Sequence, residues 1–119
     1  MITPESFVDA VKTEVCEGMA KAVLETLTKP PGRAPRKETV ELSKWFITLS
    51  ESDRLRVAEL VRFTSISVGF SFLAVLDGVK VVEDGDSRGE LELFYRNGET
   101  LTRLNDPKGE MLHDLFNAV

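Results

Sequence analysis

The longest apolar stretch of the chain, residues 63–78, carries no charged side chain before Asp77. Just upstream, apolar side chains such as Val57 and Val61 recur every three or four residues, which is the spacing of an amphipathic helix. We therefore predict one long helix over residues 51–76. Its second half is apolar nearly all round and is expected to lie buried at the centre of the fold.

Residues 64–72 leave an alternative open, because serines and apolar side chains alternate there with the period of a β-strand. No turn residue separates this segment from the helical pattern before it, and the first turn signal is Asp77-Gly78. Glycine commonly follows the C-terminus of a helix. The helix is the favoured interpretation, in which the small residues Ser67 and Ser71 allow another helix to approach closely.

Two more helices are predicted before this one. The first spans residues 4–28, with Thr3 as its N-cap and Pro4 at its first position, where a missing N–H group is tolerated. The apolar stripe expected to face the core consists of Phe7, Val11, Val15, Met19, Val23 and Leu27. The second helix spans residues 37–49. Residues 29–37 hold three of the five prolines and four basic side chains, so they are predicted to form a connector.

The C-terminal third of the chain has the pattern of short strands. Residues 79–83, 90–96 and 99–104 are predicted to form a three-stranded antiparallel β-meander, followed by a helix that begins at Asp106-Pro107. Asn97-Gly98 is a common two-residue hairpin turn, and it would pair residue 96 with residue 99. The predicted fold is α+β: three N-terminal helices, the meander and a C-terminal helix, in a single compact domain over residues 1–119.

One face of the predicted hairpin is a candidate surface for binding a partner. Phe94 is expected opposite Leu101, with charged side chains around them, as in an interface with an apolar centre and a polar rim. The two flanking pairs have opposite charges, which supports this register. The candidate partner-binding residues are Glu92, Phe94, Arg96, Glu99, Leu101 and Arg103. A minor exposed apolar pair, or one covered by a terminal segment, is the alternative explanation.

Composition and charge limit the classes of function. The chain has 119 residues, a net charge of −5 and a sequence pI of about 4.9, so we expect no binding to nucleic acid, which needs a basic surface. A single cysteine excludes an intramolecular disulfide, and the N-terminus lacks the pattern of a signal peptide. Residues 63–78 are too short and too rich in Ser and Thr for a membrane span. These features predict a cytoplasmic protein that does not bind membranes.

The reactive side chains form no recognisable catalytic or metal-binding motif. His113 is the only histidine and is expected on the solvated surface of the last helix, while Cys16 is expected to be a buried apolar side chain. The acidic turn at residues 84–89 fails the EF-hand pattern, because Tyr95 stands where a bidentate glutamate is needed. No Walker or dinucleotide-binding motif occurs. We therefore predict a non-enzymatic protein without a metal or cofactor.

The favoured hypothesis is a module that binds another protein or itself, including as a homodimer. A narrower version is a small bacterial immunity or inhibitor protein, because an acidic surface speeds association with a basic toxin. An alternative is a small-ligand binding module with a pocket between the 51–76 helix and the sheet, lined by Trp45, Phe70, Phe72 and Tyr95. An enzyme whose site is assembled only by the fold is the least favoured class.

Overall fold

The computed structural model describes residues 1–118 and shows packed helices followed by a small antiparallel sheet. Its segments are α1 (Pro4–Ala10), a π-helical segment (Val11–Glu17), α2 (Gly18–Thr28), α3 (Lys37–Thr48), α4 (Glu51–Leu76), β1 (Phe94–Asn97), β2 (Thr100–Arg103) and α5 (Leu112–Asn117). The predicted α+β class is confirmed. The three-stranded meander is wrong, and the helices before the sheet are not three simple α-helices.

The first helix begins as predicted. The Thr3 side chain accepts the backbone N–H of Ser6 at 3.1 Å, and the Ser6 hydroxyl accepts the backbone N–H of Thr3 at 2.9 Å. This reciprocal arrangement satisfies two N–H groups that the helix cannot pair internally. Pro4 occupies the first helical position. Proline is favoured there because the N–H group at this position has no partner within the helix.

The π-helical segment explains why the predicted apolar stripe of this helix is only partly correct. A π turn contains more residues than an α turn, so it rotates the face of every residue that follows it. Cys16 and Ala20 therefore reach the interior, whereas the predicted Val15 and Met19 are exposed. Leu27, the last residue of the predicted stripe, is buried.

Helix α4 covers the full range predicted for it, and residues 64–72 are helical rather than extended. The Ser50 side chain caps its start by accepting a backbone N–H of the first turn at 3.2 Å. At its end Gly78 adopts a φ of 76°, and the N–H of Val79 donates to the carbonyl of Ala74 at 3.0 Å. This is the hydrogen-bond pattern with which a glycine ends a helix.

The strand predicted at residues 79–83 is not formed. The described residues contain one sheet, which consists of β1 and β2 alone. The N–H groups of Val79 and Lys80 both donate to the Ala74 carbonyl, at 3.0 and 3.2 Å. The backbone N–H groups at the start of this segment therefore end α4 and do not pair with the hairpin. The side chains of Val81 and Val82 are exposed.

The hairpin is formed, but its register differs by two residues from the prediction. Asn97 pairs with Thr100, so the loop is Gly98-Glu99 rather than Asn97-Gly98. Gly98 has a φ of 63°, and no non-glycine residue in the described part of the chain has a positive φ. This favours a turn with glycine at its first central position over one that needs positive φ at both. Because the shift is even, every side chain keeps its predicted face.

The last helix is shorter than predicted and begins at Leu112 rather than at Asp106. The Asp106 carboxylate accepts the N–H of Lys108 at 2.9 Å, so this residue closes a local turn instead of capping a helix. The cap of α5 comes from a distant residue. The Asp77 carboxylate accepts the N–H groups of the first two residues of α5, at 3.1 and 2.8 Å.

The core lies where the first helix, the C-terminal half of α4 and α5 meet. Its buried side chains are Val8, Cys16, Leu73, Leu112 and Phe116. Gly69 marks the closest approach of α4 to the π-helical segment, because a Cβ atom at this position would overlap Cys16 Sγ. The Ser65 hydroxyl donates to the Cys16 carbonyl at 2.5 Å, which holds the two segments together.

Outside this core the chain is open. Helix α3 packs against α2, where it buries Ser43 and Phe46. The Cα radius of gyration is 18.3 Å and the extents are 51 × 37 × 30 Å, whereas a compact chain of this length has a radius of gyration of about 13–14 Å. Much helical surface that a compact domain would cover therefore faces solvent.

Candidate functional site

The two apolar residues predicted to bind a partner lie on one face of the hairpin. Phe94 and Leu101 are 44% and 48% exposed. They are diagonal neighbours rather than a direct pair, because Phe94 lies opposite Arg103 and Leu101 opposite Arg96. A diagonal neighbour is still within reach of an aromatic side chain. The hairpin patch, as we call the six predicted residues, therefore stays a prediction with a corrected internal arrangement.

The charged members of the hairpin patch are arranged only partly as predicted. Glu92 Oε1 and Arg103 Nη1 lie 3.8 Å apart, so this expected ion pair is present across a diagonal. The expected Arg96–Glu99 pairing is wrong, since Glu99 lies in the turn and Arg96 lies opposite Leu101. The Glu92 side chain is 51% exposed, and ion pairs that water can reach contribute little to stability.

Asn105 joins the hairpin to the end of α4 and was not singled out from the sequence. Its amide nitrogen donates to the carbonyls of Leu76 and Leu91, at 2.7 and 2.8 Å. Its side-chain oxygen accepts the N–H of Leu93 at 2.9 Å and Nε of Arg103 at 3.3 Å. Because both the nitrogen and the oxygen of this buried amide have hydrogen-bond partners, the hairpin patch is held in a fixed orientation relative to α4.

A larger exposed apolar surface lies on α4. Leu60, Phe63, Val68 and Phe72 are exposed by 63%, 69%, 63% and 61%, and we call these four residues the α4 face. The prediction of a centrally buried helix is wrong here, because the first helix and α5 contact α4 but leave these four side chains exposed. Sequence periodicity could not separate the two sides, since the second half of α4 is apolar in all directions.

Helix α4 is long and apolar enough to cross a membrane by length and composition. It contains an 18-residue window with a mean hydropathy of 1.5, of which 11% is buried. Central helices of soluble proteins can have the same length and composition, but they are mostly buried, which this window is not. The helix carries Arg62 in an ion pair of 2.6 Å with Glu17 of the neighbouring helix. A charged pair at such a position is costly in hydrocarbon.

An open groove of about 940 Å³ lies between α2 and the N-terminal half of α4. Its apolar lining includes Ala20, Leu24, Leu55 and Ala58, and its charged lining includes Glu17, Lys21, Glu25, Glu59 and Arg62. Small-molecule sites usually enclose most of their ligand. The shape of this groove is therefore better suited to a protein segment than to a small metabolite.

Three of the four aromatic side chains predicted to line a ligand pocket between α4 and the sheet do not come together. Trp45 lies on α3, which packs against α2, and both Trp45 and Phe72 are exposed. Phe70 packs edge-on against the His113 ring, with 5.6 Å between the ring centroids. A cavity of about 290 Å³ does lie at the end of α4, but its lining includes Leu76 and Leu91 and none of the predicted aromatic residues.

Asp77 and His113 form a close carboxylate–imidazole pair, with 2.6 Å between Asp77 Oδ2 and His113 Nδ1. The side chains are 2% and 14% exposed, so the expectation of a solvated histidine is wrong. Such pairs orient the imidazole base in some hydrolytic enzymes. Here the same carboxylate also accepts the first two N–H groups of α5, which gives it a structural role.

Cys16 is buried, as predicted. Burial raises the pKa of its thiol, and the neighbouring Glu17 carboxylate raises it further. The thiol therefore stays protonated at neutral pH, and a protonated thiol is a poor nucleophile. Within residues 1–118, no group of three or more His, Cys, Asp or Glu residues is placed to hold a metal ion.

Comparison with known proteins gives no relative from which a function can be transferred. No protein-family model matches the chain, and no curated protein or solved structure matches it. The surfaces and contacts of the chain itself therefore carry the functional assignment.

Proposed function

We propose that this chain is a non-enzymatic module that acts by binding protein surfaces. The observation that carries this proposal is the α4 face, where four large apolar side chains on one helix are each more than 60% exposed. Contiguous apolar surface of this kind marks interaction sites on soluble monomers. An active site is usually a concave pocket that excludes water, and the α4 face is a convex helical surface.

The reactive side chains of the chain support this proposal. The Asp77 carboxylate holds the start of α5 as well as the His113 ring. The Cys16 thiol is buried, and its pKa is raised above the usual value by that burial. Both groups therefore contribute to the fold through contacts that would have to break before either took part in chemistry.

The hairpin patch is the surface that we propose for a second, different protein. Phe94 and Leu101 provide its apolar centre, and charged side chains surround them. The acidic residues of the preceding segment are exposed, namely Glu83, Asp84, Asp86 and Glu90. Together with the net charge of −5, they favour a basic partner, and a basic toxin neutralised by an immunity protein belongs to this class.

A pull-down from a lysate of the source organism tests this proposal. The baits are the wild type, a Phe94→Glu/Leu101→Glu variant and an Ala22→Glu/Ala34→Glu control. Both control positions are exposed and lie outside the hairpin and the acidic segment before it, so the control adds the same charge elsewhere. We expect a protein that is retained by the wild type and the control and is lost with the hairpin variant.

Circular dichroism of each bait must first show an unchanged helical signal, because an unfolded bait also loses partners. Retention of the same protein by all three baits would remove the hairpin patch from the proposal. If the wild type captures nothing and is also monomeric in solution, the interaction function itself is wrong.

A further inference from the structure

We infer that the partner of the α4 face is a second copy of this chain, so that two α4 helices pack against each other in a homodimer. This inference rests on the proposed interaction function and names the partner for one of its surfaces. It is argued from the shape of the α4 face, from its area and from the charges beside it.

The α4 face has the pattern of a ridge beside a groove. The ridge follows the i+4 spacing of Leu60, Thr64, Val68 and Phe72. In the adjacent row Phe63 is followed by the small residues Ser67 and Ser71. The Lys80 ammonium donates to the Ser71 hydroxyl at 2.5 Å, so the groove next to the ridge is open at Ser67 and closed by Lys80 at Ser71. Rows with i+4 spacing pack between one another in the commonest class of helix contact. Since one chain supplies both ridge and groove, the surface can pair with its own copy about a two-fold axis.

The exposed area is of the size that a small dimer interface requires. Phe63 and Phe72 are nine residues apart in the helix and therefore project from opposite sides of α4, so one contact covers the ridge with Phe72 and leaves Phe63 at its margin. A whole aromatic side chain accounts for about 150–250 Å², and at exposures of 61–63% Phe72, Leu60 and Val68 together offer on the order of 300 Å² of apolar area per copy. Because only about 56–65% of the area of an interface is apolar, two copies correspond to a total of roughly 1,000 Å², the lower bound for a specific interface.

The charges near α4 favour a protein partner over a lipid bilayer. The Arg62–Glu17 ion pair, at 2.6 Å between α4 and the π-helical segment packed on it, would lie within hydrocarbon if α4 crossed a membrane, which is costly. The net charge of −5 also opposes binding to anionic lipid surfaces. A second copy on the ridge covers apolar residues and leaves this ion pair outside the contact, in water.

The test is the mass of the purified protein in solution, measured by light scattering after gel filtration and by sedimentation. For the wild type we expect about 27 kDa, twice the 13.3 kDa of one chain. A Leu60→Glu/Phe72→Glu variant should be monomeric, with a dimer dissociation constant raised at least about 100-fold. A Leu42→Glu/Ile47→Glu variant is the control, because these residues of α3 are also apolar and more than half exposed, and it should remain dimeric.

Disulfide crosslinking locates the contact independently of these charged variants. The native thiol of Cys16 is buried, so a Ser67→Cys substitution adds one accessible thiol on the α4 face. Under mild oxidation we expect a covalent dimer of this variant. A Ser87→Cys variant, with its thiol in an exposed turn, should crosslink much less.

Each other outcome overturns the inference in a recognisable way. A wild type that stays monomeric at several hundred micromolar, yet retains a partner through the hairpin patch, refutes the dimer and keeps the interaction function. Loss of the dimer with the α3 variant alone places the contact on α3. Flotation of the wild type with phosphatidylcholine/phosphatidylglycerol vesicles, abolished by the α4 variant, identifies a lipid surface as the occupant.

Discussion

Replacing Asp77 by alanine should destabilise the fold far more than its position in a loop suggests. The carboxylate is 2% exposed and accepts three hydrogen bonds from α5: two from backbone N–H groups, at 3.1 and 2.8 Å, and one from the His113 ring at 2.6 Å. The substitution leaves two backbone donors of a helix N-terminus without a partner. It also removes the negative charge that interacts favourably with that helix terminus.

The size of the effect follows from these contacts. A hydrogen bond to a charged group contributes about 1.5–3 kcal/mol, and the loss of a helix N-cap costs about 0.5–2 kcal/mol. The three bonds share one carboxylate, so they do not add fully, and we expect a loss of about 3 kcal/mol in the free energy of unfolding. With about 2 cal/mol/K of unfolding entropy per residue, a chain of 119 residues should then melt about 12 °C lower.

Urea denaturation followed by circular dichroism measures this difference directly. The matched control is Asp114→Ala, because this carboxylate also lies near the His113 ring, at 3.4 Å from Nε2, but is 65% exposed. The control should change stability by less than about 0.5 kcal/mol. An Asp77→Asn variant should lie between the two, since it keeps one acceptor oxygen. A loss below about 1 kcal/mol for Asp77→Ala would refute the remote cap as a support of α5.

Two further predictions concern the contacts that α4 makes. Gly69→Ala should lower the free energy of unfolding by about 1–3 kcal/mol, because the added Cβ atom overlaps Cys16 Sγ. In a Cys16→Ala background the same change should lower it much less. If urea denaturation gives equal losses in both backgrounds, the close approach of the two helices is contradicted. Asn105→Ala should lower the free energy of unfolding by about 2–3 kcal/mol, since it removes a buried amide that pairs with part-buried backbone groups at the end of α4 and before the hairpin. Hydrogen exchange at the Leu93 amide should then accelerate, and unchanged protection there would show that Asn105 does not hold the hairpin.

Local features of the fold could be predicted from the sequence. Thr3, Ser50 and Gly78 each act within one turn of their own helix, so their roles depend on residues that are adjacent in the chain. The bounds of α3 and α4 followed from periodicity for the same reason. The alternation in the hairpin likewise gave the correct face for Phe94, although not its opposite residue.

The remaining features depend on contacts between distant residues. Asp77 caps a helix that begins 35 positions later in the chain, and Asn105 donates to a carbonyl at the end of α4, 29 positions earlier. No local sequence pattern indicates either role. The side of α4 that is exposed is set by which helices pack on it, and its second half is apolar in every direction. The candidate interaction surface on α4 was therefore visible only in three dimensions.

The π-helical segment at Val11–Glu17 also has a consequence for how this chain can vary during evolution. Because the wide turn holds one residue more than a regular helix needs, a relative that lacks one residue there would regain a plain α-helix and could keep the same side chains, including the counterpart of Cys16, in its core. An alignment that forbids a gap inside this helix would then pair Val15 or Met19, both exposed here, with buried residues of the relative. A single-residue gap within this segment would be the structurally correct alignment, and relatives of this chain should be sought with that gap allowed.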